Sequence, residues 1–201
     1  DITMTSRRHF VQSASALAAL ATFSPLIARA QSVDQVKIVN GFPAGGTADA
    51  TSRRIGEQLR GSSYTPNAAV VENKPGAGGR IACETVKNAA PDGRTLLLTP
   101  FSCTSVYPHI YSKLGYDPFT DLMPVAIAAV MHHGLAVGPL VPATVRNVRD
   151  YVAWCKANPD KASYGSPAAG SLPHFLGALL SSYTGVPLTH VPYRGSVPGV
   201  T

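Results

Sequence analysis

Cysteine, charge and metal-binding motifs are scarce in this sequence. Its 201 residues include three cysteines, and only 14% are charged, against 45% that are hydrophobic. There is no C-x-x-C pair and no zinc-type spacing of cysteine and histidine, so no structural metal site is predicted. At most one disulfide could form, and Cys83, Cys103 and Cys155 are instead expected to be small buried side chains.

Clustered basic charge is also absent. The whole chain carries a net charge of +6. After residue 30 there remain 14 basic residues (17 less three) and 10 acidic ones (11 less one). These basic residues form no run and have no interleaved aromatic stripe, which excludes a nucleic-acid footprint and predicts a mild attraction for anions.

The usual enzyme signatures are missing as well. No Gly-Lys-Ser/Thr loop, no G-x-S-x-G elbow and no H-E-x-x-H pair occurs, and Ile81 stands where a dinucleotide fingerprint needs its third glycine. Adjacent His132 and His133 are expected on the surface or in packing, and only His174 and His190 lie near a candidate ligand loop. No nucleophile with a nearby base is visible, so the chain is predicted not to be an enzyme and to use no cofactor.

The first thirty residues are typical of an export signal. Residues 6–11 read S-R-R-H-F-V, an Ala- and Leu-rich stretch follows, and Ala28-Arg29-Ala30 has the form of a cleavage site. The paired arginines favour the twin-arginine route and a periplasmic location. A membrane anchor is disfavoured because Pro25 interrupts a stretch that is already short.

From residue 31 onwards, short β-rich runs alternate with helical stretches, a pattern that predicts an α/β fold. We expect a first lobe over residues 31–130 and a partial second lobe over residues 131–201. Thr47 is expected to cap the first helix, Asn147 is expected to cap the helix that ends at about Ala157, and the Thr95–Thr99 strand is expected to be buried on both faces. The remaining predicted elements are the strands Val36–Val39, Ala69–Glu72, Val125–Val130, Leu135–Val137, Ala162–Tyr164 and Leu188–Val191, and the helices Ala48–Leu59, Arg80–Ala89 and Leu172–Tyr183.

Three strand-to-helix junctions share a glycine-rich design, and they span residues 41–49, 72–79 and 164–171. Glycine permits positive φ and close approach of a ligand to the backbone. The helix that follows offers unpaired N–H groups and the positive end of its dipole, which together bind anions. Glycine at any one such turn is ordinary turn chemistry, but three similar loops favour a cleft for a small anion.

Six motifs follow one another in the sequence: F-P-A-G-G-T-A-D (42–49), V-E-N-K-P-G-A-G-G (71–79), A-P-D-G-R-T-L-L-L (90–98), Y-D-P-F-T-D-L-M-P-V (116–125), A-N-P (157–159) and H-V-P-Y-R-G (190–195). This ordered set resembles the Bug family, the periplasmic receptors of tripartite tricarboxylate transporters. The resemblance implies a two-lobed type II periplasmic binding protein, a Venus flytrap, here with its second lobe and C-terminal return incomplete.

That resemblance also implies a function. The expected protein is a monomer that closes over a small carboxylate, which could be a di- or tricarboxylate, an acidic amino acid or an aromatic acid, and then docks on an inner-membrane permease. The alternative is a carboxylate-sensing or scavenging protein without a dedicated transporter.

The family pattern assigns candidate ligand-binding residues to each loop. The first two loops are expected to hold one carboxylate through backbone groups, with two side chains that orient them, and the opposing loop is expected to set selectivity. These residues are Phe42, Pro43, Ala44, Gly45, Gly46, Thr47, Asp49, Asn73, Pro75, Gly76, Ala77, Gly78 and Gly79, then Ser102 and Thr104, then Ser166, Ala169, Gly170, Ser171, His190 and Tyr193.

Overall fold

Three parallel strands form the first sheet of the protein, whose structure is a computed structural model that describes residues 32–200. The strands are β1 (Lys37–Asn40), β2 (Val70–Asn73) and β3 (Thr95–Leu98), in the order β2-β1-β3. Strand β1 is central and pairs in parallel with both neighbours, so its end lies between theirs. The predicted strands are confirmed to within one residue at each end, whereas the predicted export signal at residues 1–30 lies outside the described residues.

Helices connect these strands in the predicted alternation. Helix α1 (Thr47–Gln58) joins β1 to β2, and helix α2 (Arg80–Lys87) joins β2 to β3. Helix α1 packs closely on the chain that leads into β2, since a Cβ at Gly56 would lie 3.0 Å from the Ala69 carbonyl oxygen. After β3 the chain forms a π-helical segment (Ser102–Val106) that continues directly into α3 (Tyr107–Ile110).

Strand β3 is less buried than its sequence predicts. Its residues Thr95, Leu96, Leu97 and Leu98 are all half-buried. It lies at the edge of the sheet, next to β1 only. The apolar run indicated a strand buried on both faces, and that prediction is wrong, since side chains on both faces are only half-buried and the outer edge has no neighbouring strand among residues 32–200.

The second sheet is formed by β4 (Ser163–Ser166) and β5 (Thr189–Pro192), which pair in parallel. Helix α4 (Val148–Ala157) precedes β4, and helix α5 (Leu172–Thr184) joins β4 to β5. Asn147 caps α4 as predicted, because its Oδ1 accepts a hydrogen bond from the Asp150 amide at 3.0 Å. Short 3₁₀ turns follow α4 and β5, at Pro159–Lys161 and Val197–Gly199.

The two predicted strands between the sheets, Val125–Val130 and Leu135–Val137, do not form. Residues 123–138 have no regular secondary structure, and side chains such as Val125 and Ile127 are 79% and 87% exposed. Their β-branched composition is typical of strands, but a strand also needs a hydrogen-bonded neighbour. No neighbouring strand is supplied by the described part of the chain.

Two apolar clusters support the two sheet regions. The first contains Cys83, Cys103, Tyr107 and Tyr116, all buried. The second consists of Tyr151, Cys155, Ala162 and Val186. All three cysteines are buried and free of disulfides, which confirms their predicted role as small apolar side chains.

No helix among residues 32–200 has both the length and the apolar character needed to cross a membrane.

Candidate functional site

The first glycine-rich loop connects β1 to α1 and bends sharply at Gly45, where φ is +83°. The residue that precedes the first helical turn is Gly46, with φ −81° and ψ 173° and no side-chain cap. The predicted capping role of Thr47 is therefore wrong, since Thr47 is already the first helical residue. The first amides of α1, at Thr47 and Ala48, have no acceptor among the described residues.

Asp49 and Asn73 tie the first loop to the second. Asn73 Nδ2 donates to Asp49 Oδ1 at 3.0 Å and to the Phe42 carbonyl oxygen at 3.0 Å. Asp49 Oδ2 accepts from the Gly45 amide and from Arg53 Nε, both at 3.0 Å. Asp49 is 4% exposed, and both oxygens of its carboxylate accept hydrogen bonds in these contacts. Both residues therefore orient the loops, as the family pattern predicts.

The same contacts hold Asp49 in its charged form. The Arg53 side chain and then the Gly45 amide lower the pKa of Asp49 to about 2, from an ordinary value of 3.8. Burial opposes this shift but does not outweigh the hydrogen bonds. At neutral pH the first loop is thus fixed by a buried carboxylate whose charge is already compensated.

We predict that acid weakens the fold through Asp49. Because its pKa is lower in the folded than in the unfolded chain, Asp49 stabilises the fold above pH 4, and this stability is lost as pH falls towards 2. The contribution is about 2 kcal/mol. Urea unfolding of wild type and Asp49→Asn at pH 6 and pH 2.5 measures this contribution. The difference in unfolding free energy between the two proteins should be about 2 kcal/mol at pH 6 and much smaller at pH 2.5.

The comparison between wild type and Asp49→Asn isolates this one group. The pKa of Glu72 is also lowered to about 2, by Lys37 and Lys74. Glu72 titrates in both proteins, so its effect on stability cancels in the difference between them. If the difference in unfolding free energy between wild type and Asp49→Asn is the same at both pH values, Asp49 does not stabilise the fold through its charge.

The second loop has an unusual run of left-handed backbone. Gly76, Ala77, Gly78 and Gly79 have φ of 139°, 48°, 66° and 97°. Tyr107 fixes this conformation, since its hydroxyl donates to the Gly78 carbonyl oxygen at 3.0 Å. A glycine-rich run of this kind permits close approach of a ligand to the backbone. The segment ends at Gly79, where α2 begins without a side-chain cap.

The third loop connects β4 to α5 and is stabilised by its own side chains. Ser166 Oγ and Ser171 Oγ both donate to the Ala168 carbonyl oxygen, at 3.0 Å and 2.6 Å. Ser166 Oγ also lies 2.7 Å from His190 Nε2. Burial, followed by the nearby His174, lowers the pKa of His190 and favours its neutral ring. These side chains shape the loop, in which Ala169 is exposed.

The structure brings all three loops together. A Cβ at Gly41 would lie only 2.4 Å from Gly79 Cα, so the first two loops touch backbone to backbone. A Cβ at Gly78 would lie 3.4 Å from Ala168 Cβ, which places the third loop against the second. The turn that follows β5 completes the arrangement, because a Cβ at Gly46 would lie 3.4 Å from Ser196 Oγ.

The three helices that begin at these loops share one further property. Their N-terminal residues, Gly46, Gly79 and Ser171, make no side-chain capping bond. Helix α4, by contrast, is capped by Asn147. The Gly79 and Ser171 amides donate to carbonyl oxygens of their own loops, at Gly76 and Ala168, whereas the first amides of α1 have no acceptor among the described residues. All three helix starts present the positive ends of their dipoles, which attract anions.

Three of the remaining candidates lie outside the three loops themselves. Ser102 and Thr104 lie within the π-helical segment, where Ser102 is buried and Thr104 Oγ1 donates to the Phe101 carbonyl oxygen. The Tyr193 ring lies against the backbone of β4, with its Cε2 2.8 Å from the position of a Cβ at Gly165. Ligand contact by these three residues stays a prediction.

Sequence reasoning missed Asn40, Tyr107 and Tyr111. Tyr107 and Tyr111 come from the connection after β3, and they bridge the second loop and the third through Gly78 and Ala169. Their spacing of four residues puts both on one helix face, a signal that was available once a helix was assigned there. Asn40 follows a strand and precedes a glycine, a position that by itself indicates only a turn.

The chain is similar to known proteins in family, sequence and structure. The model of the tripartite tricarboxylate transporter family receptor, TctC, matches residues 53–201. The UPF0065 protein in the gbd 5' region of Cupriavidus necator is 34% identical over 199 residues, which cover 94% of this chain and 58% of that protein. Protein BugT of Bordetella pertussis is 30% identical over 178 residues, which cover 88% of this chain and 53% of that protein.

Two solved structures are similar in both fold and sequence. Rpa4515 of R. palustris, solved with adipate, has a TM-score of 0.72 and 31% identity, and the match covers 83% of this chain and 54% of that one. The periplasmic binding protein BugD has a TM-score of 0.67 and 32% identity, with 84% and 55% covered. This chain spans about half the length of the relatives it matches. The predicted α/β fold of the periplasmic binding proteins is confirmed.

Proposed function

Because the chain belongs to the TctC family of tripartite tricarboxylate transporter receptors, we propose that it is a periplasmic receptor that captures a small carboxylate on backbone amides. The family is one of solute-binding proteins and not of enzymes, in agreement with the absence of catalytic motifs. A periplasmic location follows from the family. The twin-arginine signal over residues 1–30 is part of the proposal.

The meeting of three uncapped helix starts carries this proposal. Gly46, Gly79 and Ser171 begin three helices whose loops touch one another, and none of the three has a side-chain cap. A carboxylate at their junction would accept hydrogen bonds from the amides of Thr47 and Ala48, which otherwise lack acceptors among the described residues. Such charge-assisted bonds are stronger than those between neutral groups, so the site needs no arginine directed at the anion.

The first two loops and the third loop recognise different parts of the ligand in this proposal. One carboxylate is held by Pro43–Thr47 and Pro75–Gly79, whose backbone is fixed by Asp49, Asn73 and Tyr107. Since the Asp49 charge is already compensated by Arg53 and the Gly45 amide, it repels an incoming anion little. The rest of the ligand faces the opposing loop, and there Ser166, Ala169, Gly170, Ser171, His190 and Tyr193 set selectivity.

The proposed ligand class is a small organic acid. Rpa4515, at 31% identity, was solved with adipate, a dicarboxylate. Recognition of one carboxylate through the backbone accepts many acids equally, so di- and tricarboxylates, acidic amino acids and aromatic acids all belong to the proposed class. The receptor would close its two lobes, over residues 31–130 and 131–201, around the acid and deliver it to an inner-membrane permease.

Calorimetry and thermal unfolding of the purified protein test this function. Adipate, malate, citrate, aspartate and benzoate would be compared with glucose and sodium chloride at pH 7.5. A carboxylate that binds the folded state raises its melting temperature by mass action. We expect at least one acid, and neither control, to raise the melting temperature and to give a saturable heat of binding. Stabilisation by glucose alone, or by no acid, would contradict the proposal.

A further inference from the structure

The side chain of Asn40 has a donor without a partner. Asn40 ends the central strand β1 and is fully buried. Its Nδ2 is the one buried side-chain nitrogen or oxygen that lacks a hydrogen-bond partner within residues 32–200. A buried donor of this kind destabilises the fold, because it gives up its hydrogen bonds to water without replacement. An apolar residue at this position would avoid that cost, so the amide calls for an explanation.

The orientation of the amide is fixed by its neighbours. Asn40 Oδ1 accepts from the Phe42 amide at 3.1 Å and faces Asn73 Nδ2 at 3.4 Å. If the amide oxygen and nitrogen were exchanged, the NH₂ group would face two other donors, the Phe42 amide and Asn73 Nδ2. The unpaired atom is therefore the nitrogen, and its N–H groups are available to an acceptor.

The position of Asn40 links this donor to the anion loops. Phe42 belongs to the first loop, and Asn73 leads into the second while also holding Asp49. Asn40 thus lies where the two loops leave the sheet, next to the place where Gly41 touches Gly79. The unpaired donor and the uncapped helix starts are independent observations that both call for an acceptor at the same end of the sheet.

We infer that Asn40 Nδ2 donates a hydrogen bond to an oxygen of the bound anion and so is a ligand-binding residue of this receptor. The inference rests on the proposed function and adds a side-chain donor to a site otherwise built from backbone. Nδ2 is closed to solvent in this structure, so the first two loops move apart locally as the oxygen enters.

The Asn40→Asp variant tests this directly with adipate as the probe. The substitution keeps the size and the acceptor for the Phe42 amide but replaces the free donor with a negatively charged oxygen. Calorimetry at pH 7.5 should show affinity reduced roughly 100-fold. At pH 5.5 a protonated side chain again offers an O–H donor, so the ratio of variant to wild-type affinity should partly recover.

A second pair of variants tests the inference even if Asn40→Asp does not fold. Asn40→Thr and Asn40→Val have the same shape and suit a strand, but only the first retains a hydroxyl donor. The threonine variant should bind adipate about tenfold more tightly than the valine variant. Urea unfolding without adipate measures any purely structural difference between them. Asn88→Asp is the charge control, because its amide donates only to the Glu84 carbonyl oxygen at the end of α2.

The outcomes separate this inference from the proposed function. If wild-type protein binds no carboxylate, the proposed function fails. If wild type binds adipate and the aspartate and valine variants bind it equally well, the receptor function stands and the role of Asn40 is overturned. An equal loss of affinity in Asn88→Asp would also overturn it, since the effect would then be one of overall charge.

Discussion

Gly46→Val is expected to weaken carboxylate binding by roughly 100-fold or more while the protein stays folded. Gly46 has φ −81° and ψ 173°, which any residue adopts without strain. A Cβ there would contact only Ser196 Oγ at 3.4 Å and the Pro43 carbonyl oxygen at 3.5 Å. The two methyl groups of valine would therefore extend into the gap where the first loop faces the turn after β5, and would cover the first amides of α1.

Calorimetry with adipate measures this loss, and urea unfolding tests the fold. Valine is a poorer N-terminal cap than glycine, which costs about 1 kcal/mol of unfolding free energy. The matched control is Gly138→Val, because Gly138 has nothing within 4 Å of its Cβ position. Adipate affinity that survives in Gly46→Val would show that the first loop is not the anion site.

Gly41→Ala is expected to lower the free energy of unfolding by about 3 kcal/mol. A Cβ at this position would lie 2.4 Å from Gly79 Cα and 3.0 Å from the Gly79 carbonyl oxygen. Both are backbone atoms, so no side chain can rotate away, and the first two loops must separate.

Chemical unfolding monitored by circular dichroism checks this prediction. Gly134→Ala adds the same methyl group to a position with no neighbour within 4 Å, and it should change stability by less than about 0.5 kcal/mol. If Gly41→Ala behaves like that control, the close packing of the first loop on the second is not part of the native state.

Much of this molecule could be predicted from local sequence signals. The ends of β1, β2 and α4 follow from glycine, proline and asparagine, whose backbone preferences act within a few residues. Their shared glycine-rich composition then identified the three loops. The approach of the first two could be expected because parallel strands present the same ends to one edge of a sheet, whereas the third loop leaves the second sheet.

Other features depended on partners far along the chain. Val125–Val130 has the composition of a strand but remains exposed, because no other strand pairs with it among the described residues. The unpaired nitrogen of Asn40 is likewise invisible in sequence, since it results from Phe42 and Asn73 both approaching the oxygen of the same amide. Contacts of this kind appear only once the strands have been assembled.

The three buried thiols give each part of the protein its own reporter of local opening. Cys83 and Cys103 lie in the cluster beneath the first sheet region, and Cys155 lies in the cluster beneath the second. A thiol buried this deeply reacts with an alkylating reagent only when its surroundings open. The rate at which each cysteine is labelled therefore measures how often its own region opens. Equal rates would mean that both regions open in one cooperative event, and unequal rates would show which of the two opens first.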